Sequence, residues 1–154
     1  MAELVSITYT PRDVERRPAD RYARVPLGRA TLVEGKGIAG DLKGGGRTRQ
    51  LNVMRAETLA ELAAEGRRTD PGELGEQLVI AGLDPAAFAE GTRLQLGDGA
   101  VIEVGIPRTG CTRFESIQGV SKQSVAGRLG VMARVVADGE VRVGDEVGVV
   151  PMAD

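Results

Sequence analysis

Apolar and polar positions alternate along this chain in short runs that glycine-rich turns interrupt. Such runs occupy residues 4–9, 50–54, 77–81, 93–96, 101–105, 131–137 and 146–150. Side chains on a strand point to opposite faces in turn, so many short alternating runs predict strands of a barrel or sandwich with one buried face. LQLGDGAVIEVG places Gly97, Asp98 and Gly99 between two runs, and ARVVADGEVRVG does the same with Asp138 and Gly139. Both read as hairpins, because Gly and Asp accept the positive φ of tight turns. The period changes over residues 55–66, where Leu59, Leu62 and Ala63 recur at helical spacing before Gly66, which predicts a helix covering one barrel face. A second short helix is expected over residues 85–90, with Asp84 as cap, Pro85 at the first position and Gly91 as stop. Residues 10–24 are polar and contain prolines, and read as an exposed excursion or a partner surface.

Composition narrows the chemistry. The 154 residues suit one domain, with apolar and charged fractions of 42% and 27% typical of a globular chain. Twenty basic residues nearly balance 22 acidic ones, and with two Phe, two Tyr and no Trp the chain lacks the basic stripe and stacking platform of a nucleic-acid binder. No run approaches the roughly 20 apolar residues that span a bilayer, and the start has no secretory pattern, so a cytoplasmic protein with no membrane segment is expected. One cysteine and no histidine exclude an internal disulfide, a Cys/His zinc site, an iron-sulfur cluster and a Cys-His or Ser-His nucleophile. What remains is Cys111, carboxylates, or a bound cofactor.

Three segments carry candidate chemistry. KGIAGDLKGGG, residues 36–46, sets glycines among Lys36, Asp41 and Lys43; over residues 34–49 four cations face two carboxylates. Glycines let backbone N–H groups approach an anion, though the same pattern suits a mobile surface loop. PRTGCTRFESIQG, residues 107–119, places Cys111 ahead of a short helix starting at Thr112, with Thr112 and Glu115 matching a capping box and Gly119 as stop. Arg108, Arg113 and the helix start put positive charge near the sulfur, which favours a thiolate, both nucleophile and metal ligand. The alternative is a buried, inert cysteine. DPGELGEQLVIAGLD, residues 70–84, supplies Glu73 and Glu76, which read better as a solvated loop than as an acid-base pair. The ending GEVRVGDEVGVV, with Gly144 and Asp145 in a turn, reads as barrel closure.

Taken in order, KGIAGDLKGG at Lys36, RQLNVM at Arg49, ELGEQLVIAGLD at Glu73, PRTGC at Pro107 and GVMARVVADGEVRVGDEV at Gly130 resemble the blocks of the MOSC family, named for the C-terminal domain of molybdenum cofactor sulfurases and found also in amidoxime reductases and small bacterial proteins. The resemblance covers about residues 35–150. Lys43 stands where the family pattern has His, Gln77 where it has Asn, and Gly110 where it has Pro. It implies a mostly β, MOSC-type barrel-like domain with a few short peripheral helices over residues 1–154, with the glycine-rich block and the cysteine loop at one rim. It also implies the molybdenum cofactor, molybdopterin, with Cys111 as catalytic residue and as molybdenum ligand or persulfide carrier. Lys36, Lys43, Arg49, Arg108, Thr109 and Arg113 would hold the anionic pterin and its phosphate.

Three functions remain open at this stage. In the first, a Cys111-ligated molybdenum reduces N-hydroxylated or N-oxide small molecules, with a separate electron donor because the chain has no flavin, haem or iron-sulfur motif. In the second, Cys111 carries a persulfide from a separate pyridoxal-phosphate desulfurase, since no pyridoxal-phosphate domain fits in this chain, to a target such as molybdenum cofactor or metal-sulfur biosynthesis. The third is a non-catalytic cofactor-binding module, suggested by the Lys43 and Gly110 departures. Edge strands of an open barrel could also pair into an oligomer, though no residue requires it.

Overall fold

The computed structural model describes residues 2–11, 21–42, 45–46 and 50–151, with Thr112 described by its backbone alone. Within these, the strands are β1 (Ala2–Tyr9), β2 (Val25–Leu27), β3 (Arg29–Val33), β4 (Gly37–Ile38), β5 (Leu51–Arg55), β6 (Leu78–Ala81), β7 (Arg93–Leu96), β8 (Ala100–Pro107), β9 (Val131–Ala137), β10 (Gly139–Arg142) and β11 (Glu146–Val149). The α-helices are α1 (Ala56–Ala64) and α2 (Thr112–Gln118). The main sheet runs β11-β7-β8-β9-β5-β6-β1-β2, and a further pairing of β11 with β1 closes its first seven strands into a barrel. Closure removes the free edges along that ring, which corrects the expectation of an open barrel.

Alternation builds the interior. On β7, Leu94 and Leu96 are buried between exposed Arg93 and Gln95, and on β8 Ala100, Ile102 and Val104 face the same way. These side chains join Leu4, Ile7, Leu51, Val53, Leu78, Ile80 and Val147 in one apolar cluster, in which each Leu, Ile or Val is worth about 1.5–3 kcal/mol if fully removed from water. Strand β5 is buried on both faces: Leu51 and Val53 point into the barrel, while Met54 points out into a second cluster with Leu62, Leu74, Phe114, Val125 and Leu129. The helix α1 links β5 to β6, a parallel pair, and packs on both, so Leu62 covers that outer face. The turn at Pro85–Phe88 is a short 3-10 helix capped by the Asp84 side chain, which accepts the Ala86 N–H at 2.9 Å.

The hairpin expected at Gly97 is present, with Leu96 opposite Ala100. The one expected at Asp138 is not. Strand β9 has β8 along one side, and on the other β5 pairs only with Val131–Ala133. Beyond it the Val135 N–H donates to the Gln50 side chain at 2.8 Å and the Val135 carbonyl accepts the Gly35 N–H at 3.2 Å, so that edge is taken before β10 begins. The chain turns a corner instead, where the Asp138 carboxylate accepts the Glu34 N–H, and β10 joins a three-stranded sheet ordered β10-β3-β4. The segment GEVRVGDEVGVV does close the barrel, since β11 bonds both β7 and β1. No helix among the described residues is long and apolar enough to cross a membrane.

Candidate active site around Cys111

One extra residue on β8 aims the cysteine loop. Val104 pairs with Ala133 and Pro107 with Val131, so three steps on β8 oppose two on β9, a bulge that bends the strand end outward. Arg108 follows, tied back by its N–H to the Gly130 carbonyl at 3.0 Å. Cys111 is the N-cap of α2, extended at φ −136° and ψ 177°, and exposed. The N-cap is therefore one residue earlier than the capping box expected from Thr112 and Glu115. Glu115 turns its carboxylate to the Lys122 N–H at 2.9 Å, because the short 3-10 helix at Lys122–Val125 folds back against it. Gly119, at φ 72°, ends α2 as expected.

The loop lies against residues from the 10–24 segment. Residues 12–20 are outside the described set, but the ends on either side of them are not bare: Thr10 is buried and Tyr22 and Arg24 are half-buried. The Tyr22 ring receives the guanidinium groups of Arg108 at 5.8 Å and Arg113 at 5.4 Å. Arg108 also donates to the Tyr22 hydroxyl at 3.2 Å and to the Leu74 carbonyl, and Arg113 donates to the Arg21 carbonyl at 3.3 Å. Burial raises the Tyr22 hydroxyl above its ordinary value of 10.0, against Arg108, and the nearby charge of Cys111 raises it further. Gly75 makes this packing attainable, since a Cβ there would meet Arg108 Nη2 at 2.8 Å and the Tyr22 ring at 3.0 Å.

A buried polar chain continues behind this face. Arg24 has its value lowered by burial first of all; Asp41, Glu76 and Tyr22 oppose that effect and Arg108 adds to it. Its Nε and Nη1 are buried with no hydrogen-bond partner among the described residues. Asp41, from the glycine-rich block, accepts from the Thr10 N–H at 3.1 Å and the Gln77 side chain at 3.3 Å, and Gln77 in turn accepts the Asn52 N–H at 2.7 Å. Glu76 is buried, which corrects its reading as part of a solvated loop. Its carboxylate accepts the N–H groups of Gly72 at 2.7 Å and Leu74 at 3.2 Å and so holds the turn that carries Gly75.

The residues singled out from sequence therefore divide. Cys111, Arg108 and Arg113 come together, with Thr109 exposed beside them. Lys36 is exposed and lines a cleft of about 540 Å³ with Val33, Ile38, Asp41 and Gly45, and no hydrogen bond or ion pair between described residues ties it to Cys111. Lys43 and Arg49 lie outside the described residues. Tyr22 and Arg24 were missed; the only sequence signal was a tyrosine between cations in RYAR, inside a stretch otherwise read as exposed.

Residues 41–148 match the family model for the MOSC domain. The chain belongs to the MOSC family. Solved structures of similar fold include the YuaD protein of Bacillus subtilis, 21% identical with a TM-score of 0.73, covering 96% of this chain and 94% of that one. YiiM from Geobacillus stearothermophilus is 20% identical with a TM-score of 0.73, covering 98% and 76%, and YiiM from Escherichia coli is 22% identical with a TM-score of 0.71, covering 98% and 71%. No curated protein matches. MOSC domains as a family are associated with the molybdenum cofactor.

Proposed function

We propose that this MOSC domain binds the molybdenum cofactor through Cys111 and reduces N-hydroxylated or N-oxide compounds with electrons from a separate donor. The observation that supports it is the exposed Cys111 thiol set against Tyr22, Arg108 and Arg113, with guanidinium atoms of Arg24 behind them that have no hydrogen-bond partner among the described residues. Among the described residues no three His, Cys, Asp or Glu side chains converge, and a pterin dithiolene would bring sulfur ligands of its own to a metal at Cys111. The donor set fits that group: one soft sulfur from the protein, and guanidinium groups for an anionic pterin. When bound, the cofactor would supply the two-electron change that removes oxygen from the substrate. The chain's own part is to hold it at Cys111, to balance its charge through Arg24, Arg108 and Arg113, and to leave the sulfur face open to solvent.

Protein purified from a cofactor-producing host, with reduced methyl viologen as donor, is expected to convert phenylhydroxylamine to aniline, and Cys111→Ser is expected to lose that conversion. Equal rates in both would contradict the assignment. A second reading, persulfide carriage, is supported by the exposure of Cys111. It predicts a one-sulfur adduct on Cys111 by mass spectrometry after incubation with a pyridoxal-phosphate desulfurase and cysteine, and an unmodified thiol would contradict it.

A further inference from the structure

Gly110, one of the departures from the family pattern, has a specific neighbour. A Cβ built on it would lie 2.8 Å from the Cβ of Lys122, and 3.4 Å from side-chain atoms of Leu129 and Phe114. The missing side chain at Gly110 therefore leaves room for the base of the Lys122 side chain, its Cβ, against the residue that precedes Cys111. Lys122 is exposed, and its backbone N–H is fixed by Glu115 at 2.9 Å. No ion pair between described residues engages its ammonium group, whereas Arg55, Arg93, Arg128, Arg134 and Arg142 each pair with a glutamate. Over residues 108–122, Arg108, Arg113 and Lys122 face Glu115 alone, a local charge of +2 in a chain whose net charge is −2. Arg108 and Arg113 keep their charge but are held on the Tyr22 ring, whereas no partner among the described residues holds the ammonium of Lys122 in place.

We propose that Lys122, seated over Gly110, makes the approach to Cys111 selective for substrates that carry a negatively charged group beside the reacting centre. A strongly hydrated ammonium on a flexible stem binds carboxylate or phosphate as a point charge. A local cation at a surface site also concentrates anions and speeds their arrival, an effect that falls as salt rises. For its reacting group this inference rests on the reductase reading; for its charge selectivity it does not.

The direct test uses the cofactor-free protein. Cys111 is alkylated with iodoacetate, an anion, and with iodoacetamide, its neutral analogue, and the ratio of the two rate constants is divided by the same ratio for free cysteine. Taking the ratio cancels the thiolate fraction, which both reagents share. Wild type is expected to favour the anion by about threefold or more at low salt, the effect of roughly one nearby charge in water, and Lys122→Met, which keeps the stem and drops the charge, is expected to lose most of that preference. Salt at high concentration should erase it in wild type. A wild-type ratio no greater than that of free cysteine, or one unchanged in Lys122→Met, overturns the proposal. The loaded protein then identifies the anion: 4-hydroxylaminobenzoate and 4-hydroxylaminophenylphosphonate are each compared with neutral 4-hydroxylaminobenzamide. A lower KM for one acid in wild type, absent in Lys122→Met, names the preferred group; equal KM values for all three overturn the selectivity for substrate. Loaded wild type that reduces none of them contradicts the reductase reading, and the alkylation ratio still decides the role of Lys122.

Discussion

Glu76 holds its carboxylate inside the protein, where it accepts two backbone N–H groups. Burial raises its value above the ordinary 4.5, against those hydrogen bonds and the charge of Arg24. Between the unfolded and the raised folded value the native state keeps a proton that the unfolded chain has released. The native state binds more protons there, so stability falls as pH rises through that window. Glu57 works the other way: the Gly82 N–H lowers its value, and its contribution is lost only as pH falls below the ordinary range. Thermal unfolding from about pH 4 to pH 8 should therefore show wild type losing stability above about pH 4.5 and Glu76→Gln lacking that decline. Parallel curves would contradict the buried assignment. The sequence could mark Cys111, the one thiol ahead of a helix, but Tyr22, Arg24 and Glu76 acquire their meaning from each other. Tyr22 lies more than fifty residues from Gly75, and no local pattern announces that the two meet.

At the scale of elements, α2 has only seven residues and cannot hold itself together in water. It is anchored from its buried side by Phe114, fully enclosed with Met54, Leu62, Leu74, Val125 and Leu129, and by Ile117. Phe114→Ala is expected to cost about 3–5 kcal/mol in denaturant unfolding, since it removes an aromatic ring from a packed cluster. A loss below about 1 kcal/mol would mean that the cluster does not position the cysteine loop. Element type was legible wherever periodicity was strong, as in α1 and the β7–β8 hairpin. The Asp138 hairpin failed because strand pairing depends on which edges are free, and those of β9 are already taken. The helix starts one residue earlier than the capping-box pattern placed it, with Cys111 as N-cap, and Glu115 finds a partner in the following turn. The short strands β2, β3 and β4 went unseen because they are brief, mixed in polarity or interrupted by glycine, whereas the run that forms β10 was legible and only its partner was not.

Over the whole molecule, a closed seven-strand barrel provides a rigid frame, and the cysteine loop, the Glu73–Gln77 turn and the segment ending at Arg24 gather on it. The buried chain from Asp41 through Gln77 to Asn52 ties the glycine-rich block into the same frame, with Gln77 spanning the gap where the family pattern has Asn. The five resemblance blocks predicted this fold because their order reflects the strands that close it, while the substrate and the electron donor are properties of the rim and its partners. The central claim is that Cys111 holds the molybdenum cofactor. It is tested by elemental analysis for molybdenum, with pterin fluorescence after oxidation, on wild type and Cys111→Ser purified from a cofactor-producing host. Molybdenum and pterin in wild type, with molybdenum lost from the variant, is the predicted result. Molybdenum absent from both, or equally retained in both, would contradict it.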